Sequence, residues 1–389
     1  MKKILFCTDS LIMGGQEKVS IDYLKMLNET KKYEIKLLIN EDNGKEGNFF
    51  IDQIPKEIKY KFVIDKDIIR KINLYRELKK KNIIYKLLYN YYLGKRKKSY
   101  NKNIKKLVKK EQYDYLIDFT CQLPIELCDN RVLSWVHTDI GSWKPKRIRE
   151  LEKKIKNIGK LIVLNEESEK ELKKKYIKEK EKIQKIYNFF DIDKIMQQSL
   201  NDKDLTNKEK EFIKEKYFFA CSRLDKLKDI DTLIETYKIL KEKYNIKEKL
   251  YIAGDGDQKE RLENLVKKYN LEKDIIFLGR QKNPYVWMKN AEFFIHSSFR
   301  ESLPTVIIEA LITNGMVISS DCPVGPKEIL ENGKNGILFS VGDKESLIKE
   351  ILKLLNNREI KEKYIVEAKR RVKDFSKKKI KNEILNILK

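Results

Sequence analysis

Short apolar runs of strand length alternate along this chain with longer stretches in which apolar residues recur every three or four positions. The first run, KKILFC, leads through the loop TDSLIMGG into QEKVSIDYLKML, whose spacing predicts a helix. EIKLLI, YKFVI, YDYLIDF, RVLSWVH, KLIVLN and IQKIYN follow, most of them separated by lysine-rich helical segments. Near residue 217 the series restarts with KYFFACS, the loop RLDKLKD and the helix IDTLIETYKIL; KLYIAG, DIIFLG, EFFIHSS, MVISS and GILFS come next. Apolar runs alternating with helices predict parallel sheets covered on both faces, and two such series predict two doubly wound α/β domains.

The expected boundaries are 1–195 and 196–374, with the polar stretch QQSLNDKDLTNKEKEFIKEK, residues 197–216, as the linker region. A last helix over 375–389 has no strand after it to serve, and packs back on one of the two domains, here taken as the N-terminal one. The chain has no low-complexity segment and no short-period repeat.

Composition narrows the class. A length of 389 residues suits two domains, and 41% hydrophobic content excludes a disordered chain. No window reaches the length of uninterrupted apolar sequence that a membrane-spanning helix needs. The opening MKKILFCTDS is too short for a signal peptide and reads as a first strand. Cys7, Cys121, Cys128, Cys221 and Cys322 form an odd, scattered set without CxxC spacing; with His137 and His296 as the only histidines, the reading is reduced cytoplasmic thiols and no zinc site.

The formal charge of +25 is uneven. Residues 66–110 carry 17 Lys or Arg against Asp67 and Glu77, a local net of +15, with Tyr75, Tyr85, Tyr89, Tyr91, Tyr92 and Tyr100 interleaved. Basic residues mixed with aromatics suit an anionic membrane surface. They also suit nucleic acid. A general lysine bias on solvated faces accounts for the charge with no partner at all. The segment is expected to meet a membrane surface and no nucleic acid.

Ligands of open α/β sheets bind beyond the carboxyl ends of the strands, so the loops there hold the candidate chemistry. After KYFFACS come Arg223 and Lys228, a planar fork and a mobile point charge suited to a diphosphate. After KLYIAG comes Gly254-Asp255-Gly256, a turn that permits close backbone approach, without the third glycine of the dinucleotide fingerprint because Lys259 stands there. After EFFIHSS comes RESLPTVIIEA. Pro304 suits a first helical turn, so the backbone amides of Leu303, Thr305 and Val306 are expected to meet an anion at the positive helix end. Glu301 then lies ahead of that anion and Glu309 in the second turn, each placed to accept hydrogen bonds from hydroxyls on either side of a diphosphate. That pattern reads as a nucleotide-sugar site. His296, inside an apolar run, reads as structural.

ESLPTVIIE resembles the Glu-x7-Glu motif of retaining glycosyltransferases of the GT-B fold, the bacterial group 1 (family four) sugar transferases. SRLDKLKDIDTLIETY resembles that family's phosphate loop, LYIAGDGDQKERLENL its Gly-Asp-Gly turn, MGGQEKV its N-terminal glycine loop and WVHTD the segment carrying its N-domain histidine. The resemblance spans nearly the whole chain, most clearly over 217–340 and thinly over 45–110. Ser302 stands where many relatives carry Gly, and DCPVGPKEIL resembles a form common in transferases for hexoses and N-acetylhexosamines.

The resemblance implies two Rossmann-like domains facing each other across a cleft, the N-terminal one for acceptor and the C-terminal one for donor. It implies catalytic roles for Glu301, His137, Arg223 and Lys228. It implies contacts to the nucleotide sugar from Gly14, Gly15, Asn188, Arg223, Lys228, Gly254, Gly256, Leu303, Pro304, Thr305 and Glu309, with Asp139 a further candidate. The implied donor is a UDP-sugar, and no metal or other cofactor is needed. The implied acceptor is a lipid-linked glycan of lipopolysaccharide, capsule or another surface polymer, made at the inner face of the cytoplasmic membrane. Two other classes stay open: a sugar-nucleotide epimerase of similar architecture, which would release free UDP and a rearranged sugar without an acceptor, and a nucleic-acid binder, which would leave the glutamates unexplained.

Overall fold

The computed structural model describes every residue except Asp139, and every side chain except those of Lys45, Glu46 and Ser142. The chain divides into two compact units, Met1–Ile186 with Glu383–Lys389, and Tyr187–Asn382.

Each apolar run becomes a strand. Unit 1 carries β1 (Lys2–Thr8), β2 (Tyr33–Ile39), β3 (Lys59–Phe62), β4 (Tyr115–Asp118), β5 (Val132–Val136), β6 (Lys160–Val163) and β7 (Ile183–Lys185). They form one parallel sheet in the order β3-β2-β1-β4-β5-β6-β7. Unit 2 carries β8 (Tyr217–Cys221), β9 (Lys249–Ala253), β10 (Ile275–Gly279), β11 (Phe293–His296), β12 (Val317–Ser320) and β13 (Ile337–Phe339). These are parallel too, in the order β10-β9-β8-β11-β12-β13. The order reverses between β1 and β4 and again between β8 and β11, and such switch points open a crevice at the carboxyl ends of the strands.

The runs read as continuous apolar stretches because helices cover both faces. In unit 2, Phe218 stacks on Phe293 with ring centroids 4.5 Å apart, and Phe219 and Trp287 stack at 6.2 Å. In unit 1, Phe119 packs on Phe6 at 5.3 Å and on Trp135 at 5.6 Å.

The stretch 197–216, expected as a linker, is tied into unit 2. Thr206 and Glu209 form a reciprocal capping box at the helix Asn207–Phe212, and Asn283 donates from Nδ2 to the carbonyls of Gln198 (2.8 Å) and Asn201 (3.0 Å). Such capping satisfies amides that a bare helix end leaves open, so a polar stretch can be well ordered. The last helix, Lys377–Ile387, starts within unit 2, while residues from Glu383 onward count with unit 1.

The basic segment is a helical hairpin, Lys66–Leu78 and Ile83–Lys110, capped by Asp65 and Asn82. Ile64, Ile68, Ile69 and Ile72 pack with Tyr89, Tyr92 and Tyr100 between the helices. Tyr75 stacks on Tyr85 at 6.2 Å and on Tyr92 at 5.6 Å. Five of the six tyrosines are thus engaged in the hairpin. Its outward face instead carries Ile83, Ile84, Leu87 and Tyr91, each more than 60% exposed. Among the described residues no helix is long and apolar enough to cross a membrane.

Candidate active site

The site in unit 2 grows from the ends of β8 and β11. Past β8 the chain enters a short turn, Lys226–Lys228, that hands over at Asp229 to the helix Ile230–Tyr244. Past β11 come Ser297, Ser298 and the loop carrying Glu301, before the helix Thr305–Thr313. The switch point brings these two loops side by side. Ser297 Oγ donates to the Lys228 carbonyl at 2.9 Å, and Lys228 Nζ makes an ion pair with Glu301 Oε1.

Glu301 is held from three directions. Lys228, His296 Nε2 at 3.2 Å and Ser298 Oγ at 2.9 Å all converge on Oε1, and Oε2 has no partner among the described residues. Burial alone would raise this carboxyl; the His296 hydrogen bond and the Lys228 charge outweigh it and hold the group down at about 2. Glu301 is therefore ionised at any working pH. An ionised carboxylate only accepts, so the His296 Nε2 must carry a hydrogen. Its other ring nitrogen, Nδ1, lies 2.9 Å from Ser319 Oγ on β12. His296, expected to be structural, is the last residue of β11, 4% exposed, and positions the carboxylate.

The other residues of this unit expected to meet the nucleotide sugar are placed as follows. Pro304 is the N-cap rather than the first helical residue, Thr305 begins the helix, and Leu303 is buried. Glu309, in the second turn, accepts from Tyr285 Oη at 3.2 Å. Arg223 is 78% exposed and turned to Asp225 Oδ2 at 3.1 Å, so it does not join the Lys228–Glu301 pair. Asn188 is buried, and its Oδ1 has no hydrogen-bond partner.

Gly254 and Gly256 answer to a neighbour rather than to open space. A Cβ on Gly254, at φ +140°, would stand 1.8 Å from the Ser222 carbonyl oxygen, and one on Gly256 would stand 2.3 Å from that of Leu224. Only glycine allows either approach, and at Gly254 the positive φ as well. The turn so packs under residues 222–224, which Leu224 N to Asp255 O (3.0 Å) fastens, and braces the loop bearing Arg223 and Lys228. Among the described residues, no three His, Cys, Asp or Glu side chains converge as a metal site.

Unit 1 supplies its own candidates. Gly14 is the N-cap of the helix Gly15–Glu29, and a side chain on Gly15 would meet nothing within 4 Å. His137 follows β5 and packs on the Phe119 ring at 4.5 Å. Burial pushes its imidazole down to about 4 against a hydrogen bond to the Phe119 backbone, and Nε2 is buried without a partner. The ring is neutral at pH 7 and offers Nε2 as a bare acceptor. Asp139 lies outside the described residues.

Sequence reading missed His296, Ser298 and Ser319. The available signal was position: a histidine closing a strand beside the switch point, five residues ahead of a glutamate.

Residues 201–371 match the family of glycosyl transferases group 1. An uncharacterized glycosyltransferase of Methanocaldococcus jannaschii is 33% identical over 239 residues, 58% of this chain and 56% of its own length. The N-acetylgalactosamine-N,N'-diacetylbacillosaminyl-diphospho-undecaprenol 4-alpha-N-acetylgalactosaminyltransferase of Campylobacter jejuni is 33% identical over 203 residues, 52% of each chain. The match thus spans little more than half the length of these relatives. Among solved structures, the Anabaena protein HepE in complex with UDP and glucose superposes with a TM-score of 0.70 at 18% identity, covering 100% of this chain and 99% of that one. At that identity the likeness is one of fold, two Rossmann-like units of the GT-B class.

Proposed function

We propose, starting from the membership of residues 201–371 in the group 1 glycosyltransferases, that this chain transfers a sugar from a nucleotide diphosphosugar to an acceptor hydroxyl, with retention at the anomeric carbon. The observation that carries the reading is Glu301: an ionised carboxylate, fixed through Oε1 by Lys228, His296 and Ser298, with Oε2 left for a hydroxyl. A carboxylate so fixed is unsuited to phosphate and suited to sugar. Lys228 has further ammonium hydrogens for the adjoining diphosphate, and Arg223, at the lip of the same loop, swings from Asp225 to join it. As the bond from the anomeric carbon to the leaving phosphate breaks, the acceptor oxygen attacks the same face and its proton passes to a leaving phosphate oxygen. Cations and the helix amides at Thr305 and Val306 take up the charge on that diphosphate, so no metal is required. His137 Nε2 accepts from a substrate hydroxyl.

UDP as the nucleotide is supported by the UDP and glucose bound to the HepE neighbour, and a lipid-linked glycan acceptor by the diphospho-undecaprenol substrate in the name of the Campylobacter relative. Arg223→Ala should weaken UDP binding roughly 10- to 100-fold, the worth of a charge-assisted contact, while Glu301→Ala should still bind UDP. Turnover should survive EDTA. Calorimetry with UDP, and donor hydrolysis with and without chelator, test the set. Loss of UDP binding in Glu301→Ala would overturn the role assignment, and formation of a rearranged sugar without acceptor would make the protein an epimerase.

The reading also puts the protein on a membrane surface through the hairpin. Ile83, Leu87 and Tyr91 fall four residues apart on one helix face, exposed among Lys80, Lys81 and Lys86. Each basic residue near an anionic leaflet contributes about 1 kcal/mol, so three to five of them with an inserted apolar stripe suffice to hold the protein there. Flotation with anionic vesicles should fall sharply in Ile83→Ser/Leu87→Ser, and should weaken in high salt. Equal binding to neutral and anionic vesicles would leave lysine bias as the account of the charge.

A further inference from the structure

A cavity of about 1120 Å³ opens in unit 1 beyond the carboxyl ends of β2, β4 and β5. Asn40 follows β2, the loop from Cys121 follows β4, and Thr138, next to His137, follows β5. Its side walls are the long helix Ile83–Lys110 and the helix Pro145–Asn157. Seven lining residues are Lys or Arg and two, Glu126 and Glu150, are acids. Of the seven, Arg96 pairs with Glu41 and Lys154 with Asp118. The other five, Lys97, Lys144, Lys146, Arg147 and Lys153, have no carboxylate within ion-pair distance among the described residues.

Three of those five violate a local rule. Lys144 is the N-cap of Pro145–Asn157, and Lys146 and Arg147 lie in its first turn, where there is no acid and no side-chain cap. The helix end is itself positive, so cations there repel it and one another, whereas an anion would be attracted by both. Arg147 is laid over the Trp143 ring, 3.7 Å from its centroid, and Trp143 is anchored by Nε1–H to Thr138 Oγ1 at 2.8 Å. A second, independent observation is Asn40. It is 3% exposed, its Nδ2 donates to Asp9 at 3.2 Å, and its Oδ1 is buried with no partner. The cavity therefore combines a wall of unpaired cations with a lining residue, Asn40, whose buried Oδ1 has no partner.

We propose that this cavity seats a phosphate or diphosphate ester carried by the acceptor, Lys97, Lys144, Lys146, Arg147 and Lys153 taking the phosphate oxygens and Asn40 Oδ1 a glycosyl hydroxyl. The inference rests on the transferase reading and gives the acceptor a charge that the donor site does not test. Such an ester comes from two sources, a polyprenyl diphosphate or a chain of phosphodiesters.

The test is calorimetry on the full chain with UDP saturating unit 2, titrating inorganic pyrophosphate, farnesyl diphosphate, farnesol and an oligo(glycerol phosphate). Lys146→Gln/Arg147→Gln/Lys153→Gln should weaken pyrophosphate and the esters by 30-fold or more, since each charge-assisted contact contributes about tenfold. It should leave UDP binding within about twofold; all three side chains are exposed, and an unchanged thermal melt confirms the fold. Preference for farnesyl diphosphate assigns the lipid source, and preference for the oligomer assigns the polymer. Pyrophosphate binding unchanged in the triple variant, or lost only in Arg223→Ala, would overturn the seat, as would farnesol binding as tightly as its diphosphate. Failure of UDP to bind would count against the transferase reading alone, because the dependence of anion binding on the unit 1 cations is read separately.

Discussion

Replacing Asp118 with Asn should destabilise unit 1 by about 3–5 kcal/mol, the cost of stranding a buried charge. Asp118 closes β4, is 2% exposed, and accepts from the amides of Gln122 (3.0 Å) and Leu123 (3.1 Å), from Ser134 Oγ (3.1 Å) and from Lys154 Nζ (2.8 Å). The Lys154 side chain is 7% exposed, and its other contact is the Cys121 sulfur at 3.8 Å. Burial pushes the Lys154 ammonium down, and the Asp118 charge outweighs it and keeps it protonated. An amide at 118 keeps most of the hydrogen bonds and removes that charge, leaving the ammonium buried against a neutral neighbour. Lys154→Met should cost less, because a carboxylate with three other donors is better satisfied. The double variant should recover much of the loss, since removing both charges removes the imbalance. Urea unfolding followed by Trp135 and Trp143, in a Trp287→Phe background, reads unit 1 separately. A loss under about 1 kcal/mol in Asp118→Asn would mean that water reaches the pair.

Glu301→Gln should lower sugar transfer by a factor on the order of 10²–10³ and leave UDP binding within a few fold, as expected for one preorganised electrostatic group. The substitution is nearly isosteric, and its amide oxygen still accepts from Ser298 and His296. It removes the negative charge. Transition states of glycosyl transfer are oxocarbenium-like, and a hydrogen bond from the sugar to an anion strengthens as positive charge grows on the ring. Because burial is outweighed and the carboxyl is held at about 2, the wild-type group is charged throughout the working range and the loss should not vary with pH above neutrality. The drop should fall on kcat, with KM for the donor little changed. A drop of less than threefold would remove Glu301 from the chemistry.

The strands and their sheets were legible because an apolar run buried on both faces has one economical use. The motifs after those runs then had to lie at the carboxyl ends, and the structure puts Lys228 and Glu301 in contact there. What was not legible depends on partners remote in the chain. His296 reads as core until Glu301 folds back onto Nε2 and Ser319 arrives from the next strand. Gly254 and Gly256 suggest close approach to a ligand, and on the side where a Cβ would stand they meet the carbonyls of Ser222 and Leu224, which no motif announces. The tyrosines of the basic segment read as outward-facing, but a second helix gives most of them an inner face, and Ile83, Ile84 and Leu87 share the outer one with Tyr91. The polar stretch 197–216 reads as a linker because caps and side-chain tethers carry no apolar signature.

Glu383–Lys389 belong to unit 1, with Ile384 and Leu388 buried and the Lys389 carbonyl accepting from Lys2 Nζ at 2.5 Å. Residues 1–186 leave the ribosome first, and the 196 residues from 187 to 382 must follow before that final strip appears. At about 5–20 residues per second the delay is about 10–40 s. For that interval unit 1 lacks the strip that carries Ile384 and Leu388, and the apolar surface against which those side chains are buried stays uncovered.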